Sequence, residues 1–256
     1  DADAVIGAVN GKTRVVVVES PTNPLLSVID IAKVARFARE QGITTVIDGT
    51  FASPVNQNPL ALGMDVVVHS ATKYLGGHGD LCAGLALSSQ EKAGRILSLA
   101  KHLGGSIDSF ACYLLERSIK TLALRVERQS ANAMAMALFL RDHRSVRRVN
   151  YPGLPDFPGH EIARAQMRGF GGMLSFFLDE GRLHPDTFVR RLGLIVPAVS
   201  LGGVDTTICS PAATSHSTIS PQERERLGIT PSLLRLSAGI EHVDDLIADL
   251  EQALKG

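Results

Sequence analysis

Asp65-Val-Val-Val-His-Ser-Ala-Thr-Lys-Tyr-Leu-Gly-Gly-His-Gly79 reads as an apolar strand that runs out into hydroxyls, a lysine and glycines. Its β-branched core does not alternate with polar residues, the pattern of a strand covered on both faces. Two similar runs precede it. Arg14-Val-Val-Val-Val18 leads into the turn segment Glu19-Ser-Pro-Thr-Asn-Pro24, and Ile43-Thr-Thr-Val-Ile47 ends at Asp48. Between these runs Asp30 can N-cap a helix that places Ile31, Val34, Ala35 and Ala38 on one face, and Gly42 can stop it. Strands separated by helices predict right-handed crossovers and a mainly parallel sheet. Ligands of such sheets gather at the carboxyl ends of the strands. Asn23, Asp48 and the group Ser70 to Lys73 all fall there.

Further along, residues 108 to 143 are long, helical in pattern and poor in breakers, with a domain change expected near residue 131. Beyond it lie strand-like runs at Val146–Asn150, Met173–Leu178, Ile195–Val196 and Leu233–Ser237. Helices are expected at Pro185–Leu192 and Asp244–Leu254. The expected organisation is α/β throughout. Residues 1–131 form the C-terminal part of a larger domain, and 132–256 form a smaller α/β domain with a mostly antiparallel sheet. The chain opens on a helix-like piece, Asp3–Val9, and runs directly into a strand, as a chain beginning in mid-domain would.

Composition narrows the function. The 256 residues carry 26 Lys+Arg and 26 Asp+Glu, a balance without the basic surplus that nucleic acid or an anionic membrane surface demands. No apolar run approaches the ~20 residues of a membrane span, and Asp1 begins no basic and apolar leader, so no signal peptide is expected. The three cysteines, Cys82, Cys112 and Cys209, are scattered. They are read as small buried apolar residues in a reducing, cytoplasmic compartment. None of the eight histidines has a metal-ligand spacing, and no metal is expected. His69 and His78 read as loop or core residues, and Arg144, Arg147 and Arg148 as a solvated face. Gly76-Gly-His-Gly79 is not a phosphate-binding Walker loop.

Ser70 and Thr72 place two hydroxyls within three residues of Lys73 at a strand end, a setting that can hold a phosphate. Burial there disfavours the ammonium of Lys73, and a neutral lysine is a nucleophile towards aldehydes. The alternative is an ordinary strand exit with a solvated lysine. Asp48 ends an apolar strand, where an unpaired carboxylate is costly. A cation should face it, and a protonated pyridine nitrogen would serve; the alternative is a helix cap or loop hydrogen bond.

These residues resemble the Cys/Met-metabolism family of pyridoxal-phosphate enzymes, which includes cystathionine γ-synthase, cystathionine γ- and β-lyases, methionine γ-lyase and the homoserine sulfhydrylases. The segment around Lys73 is similar to the family's lysine signature. Glu19-Ser-Pro-Thr-Asn-Pro24 resembles its loop whose Asn reaches the cofactor, and Asp48-Gly-Thr50 its Asp-Asn-Thr, with Gly49 departing from the usual Asn. Tyr151-Pro-Gly-Leu-Pro155, Ser200-Leu-Gly-Gly203 and Arg235-Leu-Ser-Ala-Gly-Ile-Glu241 resemble three further landmarks. The resemblance implies fold type I, the aspartate-aminotransferase-like architecture, with an N-terminal part missing from this chain. Family members carry there a phosphate loop, a ring-stacking Tyr and a Tyr/Arg pair that reaches a neighbouring subunit. A homotetramer with active sites shared between subunits is the implied assembly.

The resemblance assigns roles residue by residue. Lys73 carries the cofactor, pyridoxal 5′-phosphate, and shuttles protons. Asp48 keeps the pyridine nitrogen protonated, Ser70 and Thr72 hold the phosphate, and Asn23 orients the ring. Arg235 grips the substrate α-carboxylate, the alternative being an arginine on the wet face of a strand, and Ser200 touches both the lysine and the carboxylate region. The implied reaction is γ-elimination on a small sulfur amino acid, methionine or cystathionine, giving 2-oxobutyrate, ammonia and a thiol. The alternatives are γ-replacement on an acyl-homoserine and, remotely, an inactive fragment. Val199 bears on the choice. Cystathionine-handling members usually have Glu at that position, which meets the substrate's distal ammonium, and valine cannot make that bond.

Overall fold

The computed structural model describes residues 1–255. Its first half is built on a four-stranded sheet: β1 (Val15–Glu19), β2 (Thr44–Asp48), β3 (Val66–Ser70) and β4 (Gly84–Ser88), in the order β1-β2-β3-β4. The first three strands are parallel, and β4 joins β3 antiparallel. The second half holds a five-stranded sheet: β5 (Val146–Asn150), β6 (Met173–Leu178), β7 (Val196–Pro197), β8 (Thr207–Cys209) and β9 (Leu233–Ser237), in the order β5-β6-β9-β8-β7. All its pairings are antiparallel except β7 with β8. The expected α/β architecture, a mainly parallel sheet followed by a mostly antiparallel one, is the architecture found.

The helices are α1 (Ala2–Ala8), α2 (Ile31–Glu40), α3 (Ser53–Asn56), α4 (Gln90–Leu103), α5 (Ser109–Ile119), α6 (Leu122–Arg141), α7 (His160–Gln166), α8 (Pro185–Arg191), α9 (Pro221–Arg226) and α10 (Val243–Leu254). In α2, Asp30 caps the first turn by accepting the Lys33 N–H at 2.9 Å, and Gly42 leaves the helix at φ 65°. Its buried face is Ile31, Val34, Ala35 and Ala38, laid against Val16, Ile47 and Val67 of the sheet. Burying each of the larger aliphatic side chains contributes about 1.5–3 kcal/mol, enough to hold α2 in register against β1, β2 and β3.

The long helical stretch divides at Lys120–Thr121 into α5 and α6. Residue 131 lies inside α6, which runs on without a break. The face of α6 carrying Leu122, Val126, Ala133, Met136 and Leu140 enters a core that holds Phe51 and Tyr74 from the first half and Phe176 and Leu236 from the second. One helix therefore ties the two sheets together, and the strand ends of the first face residues of the second.

Two sequence expectations need correction. β1 is not buried on both faces: Val16 is 8% exposed, whereas Val15 and Val17 are 50% and 71% exposed. A cavity of about 340 Å³ lies between Val15 and Val66 of the sheet and Ile96 and Leu99 of α4. Nor are the cysteines all buried. Cys209 is, but Cys82 and Cys112 are exposed, one in the loop before β4 and the other on the outer side of α5. Among the described residues no helix is long and apolar enough to cross a membrane.

Candidate active site

Three strand ends bring the site together. β1 leads to Glu19 and the loop of residues 20–27, in which Leu26 N–H bonds Thr22 O at 2.9 Å and Thr22 N–H bonds Ser27 O at 3.0 Å. Those turns present Asn23. β2 ends at Asp48, whose Oδ1 accepts the Thr50 N–H at 2.9 Å. Thr50 Oγ1 in turn accepts the Ser70 N–H at 2.8 Å and so joins the ends of β2 and β3. Lys73 follows one turn later, its N–H bonded to Ser70 O at 3.1 Å.

Across from these strand ends lies the second sheet. Lys73 Nζ donates to Ser200 Oγ at 3.5 Å. Arg235, on β9 and only 3% exposed, donates from Nη1 to Asn23 Oδ1 at 3.1 Å and from Nη2 to the Val199 carbonyl at 2.8 Å. Its Nε is buried without a partner. Burial pushes the Lys73 ammonium below its ordinary range, and the Arg235 charge pushes it further, against an opposing effect of Cys82. Asn23, Lys73, Ser200, Arg235 and the main chain of Val199 thus meet at one place. The Val199 side chain is 56% exposed. With Val189, Pro197, Ile208 and Leu234 it lines a cavity of about 330 Å³.

The acidic end of the site contains more than the sequence suggested. Glu19 stands opposite Asp48 in the parallel register. Burial first, then the Asp48 charge, raise the Glu19 carboxyl, while a bond from the Asn23 main chain opposes the rise. His69 is 5% exposed, with Nδ1 unpartnered. Burial lowers its pKa, against the pull of Asp48. No Lys or Arg pairs with Asp48 among the described residues; its found partner is the Thr50 N–H, the loop bond set against the pyridine reading. His69 also accounts for Gly49: a Cβ there would lie 2.9 Å from His69 Cε1, which closes the position to larger side chains while the ring stays where it is.

Not every expected residue is free for the role expected of it. The Thr72 hydroxyl accepts the Ala83 N–H at 3.0 Å and donates to Ala83 O at 3.3 Å, which pins the approach to β4. Arg125 is a site residue the sequence did not suggest. It is 4% exposed and donates to Tyr74 O at 2.7 Å, to Leu75 O at 3.4 Å and to Ser118 O at 2.9 Å. It thereby fixes the turn behind Lys73. Gly77, at φ 71°, lies so close that any Cβ would fall on the Arg125 guanidinium. A cation beside Leu122 and Val126, on the helix face that also carries Gln129 and Asn132, was the available signal.

The model of the Cys/Met metabolism PLP-dependent enzyme family matches residues 1–255. The chain belongs to this family. It is 44% identical over 255 residues to a cystathionine gamma-synthase of Mycobacterium leprae, covering 99% of this chain and 65% of that protein. A cystathionine gamma-lyase of Dictyostelium discoideum is 45% identical over 253 residues, 98% of this chain and 65% of the relative. The crystal structure of cystathionine gamma-lyase from Lactobacillus plantarum complexed with L-serine superposes with a TM-score of 0.96 at 43% identity, over 99% of this chain and 66% of that one. The chain therefore spans about 65% of the length of the curated relatives it matches.

Pyridoxal phosphate is the family's cofactor, and the residues present fit it. The site offers an amine held below its ordinary pKa, a carboxylate with no cationic side-chain partner, and a buried guanidinium whose Nε has no partner. These groups suit an aldehyde, a pyridinium and a carboxylate respectively.

Proposed function

We propose that the protein carries out γ-elimination on a sulfur amino acid, methionine or cystathionine, releasing 2-oxobutyrate, ammonia and a thiol. The observation that supports this most is the cluster of Lys73, Ser200 and Arg235. In this reading a base and a carboxylate clamp would act side by side across two sheets. Bound at the three strand ends, pyridoxal phosphate would supply an electron sink for charge at the substrate's α-carbon.

The chain's own residues would do the rest. Arg235 would clamp the α-carboxylate with its planar fork, using Nε–H and one of the N–H groups that Nη1 and Nη2 leave unspent on Asn23 and Val199. Lys73 Nζ would take the α-proton and then a β-proton, a task eased by its lowered pKa. Ser200 Oγ would hold that amine in line. Asp48 would keep the ring nitrogen protonated, and Glu19 beside it deepens the negative potential whenever it is ionised. Asn23 would orient the ring, and Ser70 would take the phosphate, joined by Thr72 once its hydroxyl turns away from Ala83. Val199, with no charge to offer a distal ammonium, favours an uncharged thioether.

A second reading is γ-replacement on an acyl-homoserine, favoured by the 44% identity to a protein named cystathionine gamma-synthase. An inactive chain is the remote third. A homotetramer with sites shared between subunits, acting in the cytoplasm, completes the proposal. The deciding experiment incubates the cofactor-loaded protein with methionine, cystathionine, O-acetylhomoserine and O-succinylhomoserine. Release of 2-oxobutyrate from methionine or cystathionine without added thiol supports elimination. Turnover of an acyl-homoserine only when cysteine or sulfide is present supports replacement, and no turnover of any substrate refutes both.

A further inference from the structure

A cavity of about 490 Å³ lies on the second sheet and is lined by Leu25, Arg147, Arg148, Phe177, Thr230 and Ser232, together with Glu180. A β-bulge borders it. In the β5–β6 ladder Val146 pairs with Leu178 and Arg148 pairs with Phe177, which leaves Arg147 as the extra residue. Consecutive residues of a regular strand point to opposite faces; a bulge breaks that alternation and re-aims a side chain. Here it lets both arginines border one cavity. The Arg148 guanidinium carbon is 6.0 Å from the centroid of the Phe177 ring. The arginine ion pairs among the described residues belong to Arg141, Arg164, Arg182 and Arg226, and to neither of these two. In the same lining Thr230 Oγ1 and Ser232 Oγ are 2.9 Å apart, so one of the two hydroxyl protons remains available to a ligand.

We propose that this cavity is a binding site for a small phosphate-type dianion, free or as the ester of an apolar group. Two unpaired guanidiniums supply the forked donors that phosphate oxygens take. The hydroxyl pair supplies a further donor, and Leu25 with Phe177 offers an apolar wall for an ester's organic part. The volume falls within the range of small-molecule sites. Glu180 opposes the charge and sets a limit on affinity. The site also touches the active-site loop: Leu25 lies two residues after Asn23, the side chain that accepts from Arg235. A bound dianion therefore braces the loop that carries Asn23.

The test is isothermal titration of the protein, loaded with pyridoxal phosphate and freed of excess, with inorganic phosphate in one arm and phenyl phosphate in the other. Binding is expected in at least one arm and should weaken as NaCl is raised. Tighter binding of phenyl phosphate assigns the site to an ester, and equal binding to the free ion. The double variant Arg147→Gln/Arg148→Gln should lose affinity by about tenfold or more. Arg144→Gln, outside the cavity, should leave it unchanged, and Glu180→Gln should tighten it. No binding in either arm, or binding unaltered by the double variant, overturns the proposal.

Discussion

Arg235 allows charge and geometry to be separated in one pair of substitutions. Its guanidinium is buried, with Nη2 spent on the Val199 carbonyl, Nη1 on Asn23 and Nε on nothing. A substrate carboxylate that takes a two-pronged grip gains two charge-assisted hydrogen bonds, each about 1.5–3 kcal/mol. Arg235→Lys keeps the charge and loses the fork. One bond should go, at a cost of roughly tenfold to a hundredfold in kcat/KM. Arg235→Gln loses both charge and fork, and roughly a thousandfold is expected. Lys73 reports on the charge alone. The positive charge of Arg235 is one of the two effects that hold the Lys73 pKa down, so its removal must let that pKa rise towards the ordinary lysine value. In cofactor-free protein, the rate of Lys73 acetylation against pH should therefore shift to higher pH in Arg235→Gln and stay in place in Arg235→Lys. Equal kcat/KM losses in the two variants, with no shift in either labelling profile, would refute both the clamp and the coupling.

Three further outcomes are expected. Val199→Glu, at a position 56% exposed, should raise the ratio of kcat/KM for cystathionine over methionine by about fivefold, because a solvated carboxylate can meet an ammonium that only cystathionine offers; an unchanged ratio between the two substrates would show that position 199 does not meet the substrate's distal end. Arg125→Leu should strip the donors from the Tyr74, Leu75 and Ser118 carbonyls and destabilise the fold by about 3–5 kcal/mol in urea titrations, together with weaker cofactor binding; wild-type stability would remove Arg125 from the site's framework. Asp249 is buried and accepts N–H bonds from Gly193, Leu194 and Ile195 at 2.8–2.9 Å, which outweigh the cost of that burial and keep its carboxyl below the usual range. A depressed carboxyl stabilises the fold above its unfolded pKa, and that contribution is lost as pH falls through the folded value. The deficit of Asp249→Asn, about 1–2 kcal/mol at pH 7, should thus shrink below about pH 4, and a deficit constant with pH would contradict the assignment.

The parallel half of the fold is legible where β-branched runs and caps coincide. The residues of β1, β2, β3 and α2 announce themselves through runs of valine and isoleucine, Asp30 and Gly42, and their bounds shift by about one residue. β4 and α4 were not anticipated. Gly84-Leu-Ala-Leu-Ser88 contains no β-branched residue and becomes a strand because β3 offers it a free edge, an influence of tertiary context that local propensity does not carry. Asn23, Asp48, Ser70 and Lys73 were visible because a parallel sheet collects its ligands at strand ends. Arg125 and Glu19 were not, since their significance lies in what faces them: carbonyls some fifty residues earlier for one, the Asp48 carboxylate for the other. Arg147 and Arg148 are exposed, as expected of a solvated face, yet only the bulge in β5 shows that they border one cavity.

The central claim is that Lys73 is the cofactor's point of attachment, and borohydride tests it most directly. Reduction of the cofactor-loaded protein, followed by digestion and peptide mass mapping, should fix a pyridoxyl group on the peptide containing Lys73. Lys73→Ala should lose both that label and the visible absorption band while keeping its far-ultraviolet circular dichroism. A pyridoxyl group found on Lys92, Lys101 or Lys120 and absent from Lys73, or a folded Lys73→Ala protein that retains the band and near-full activity, would contradict the account.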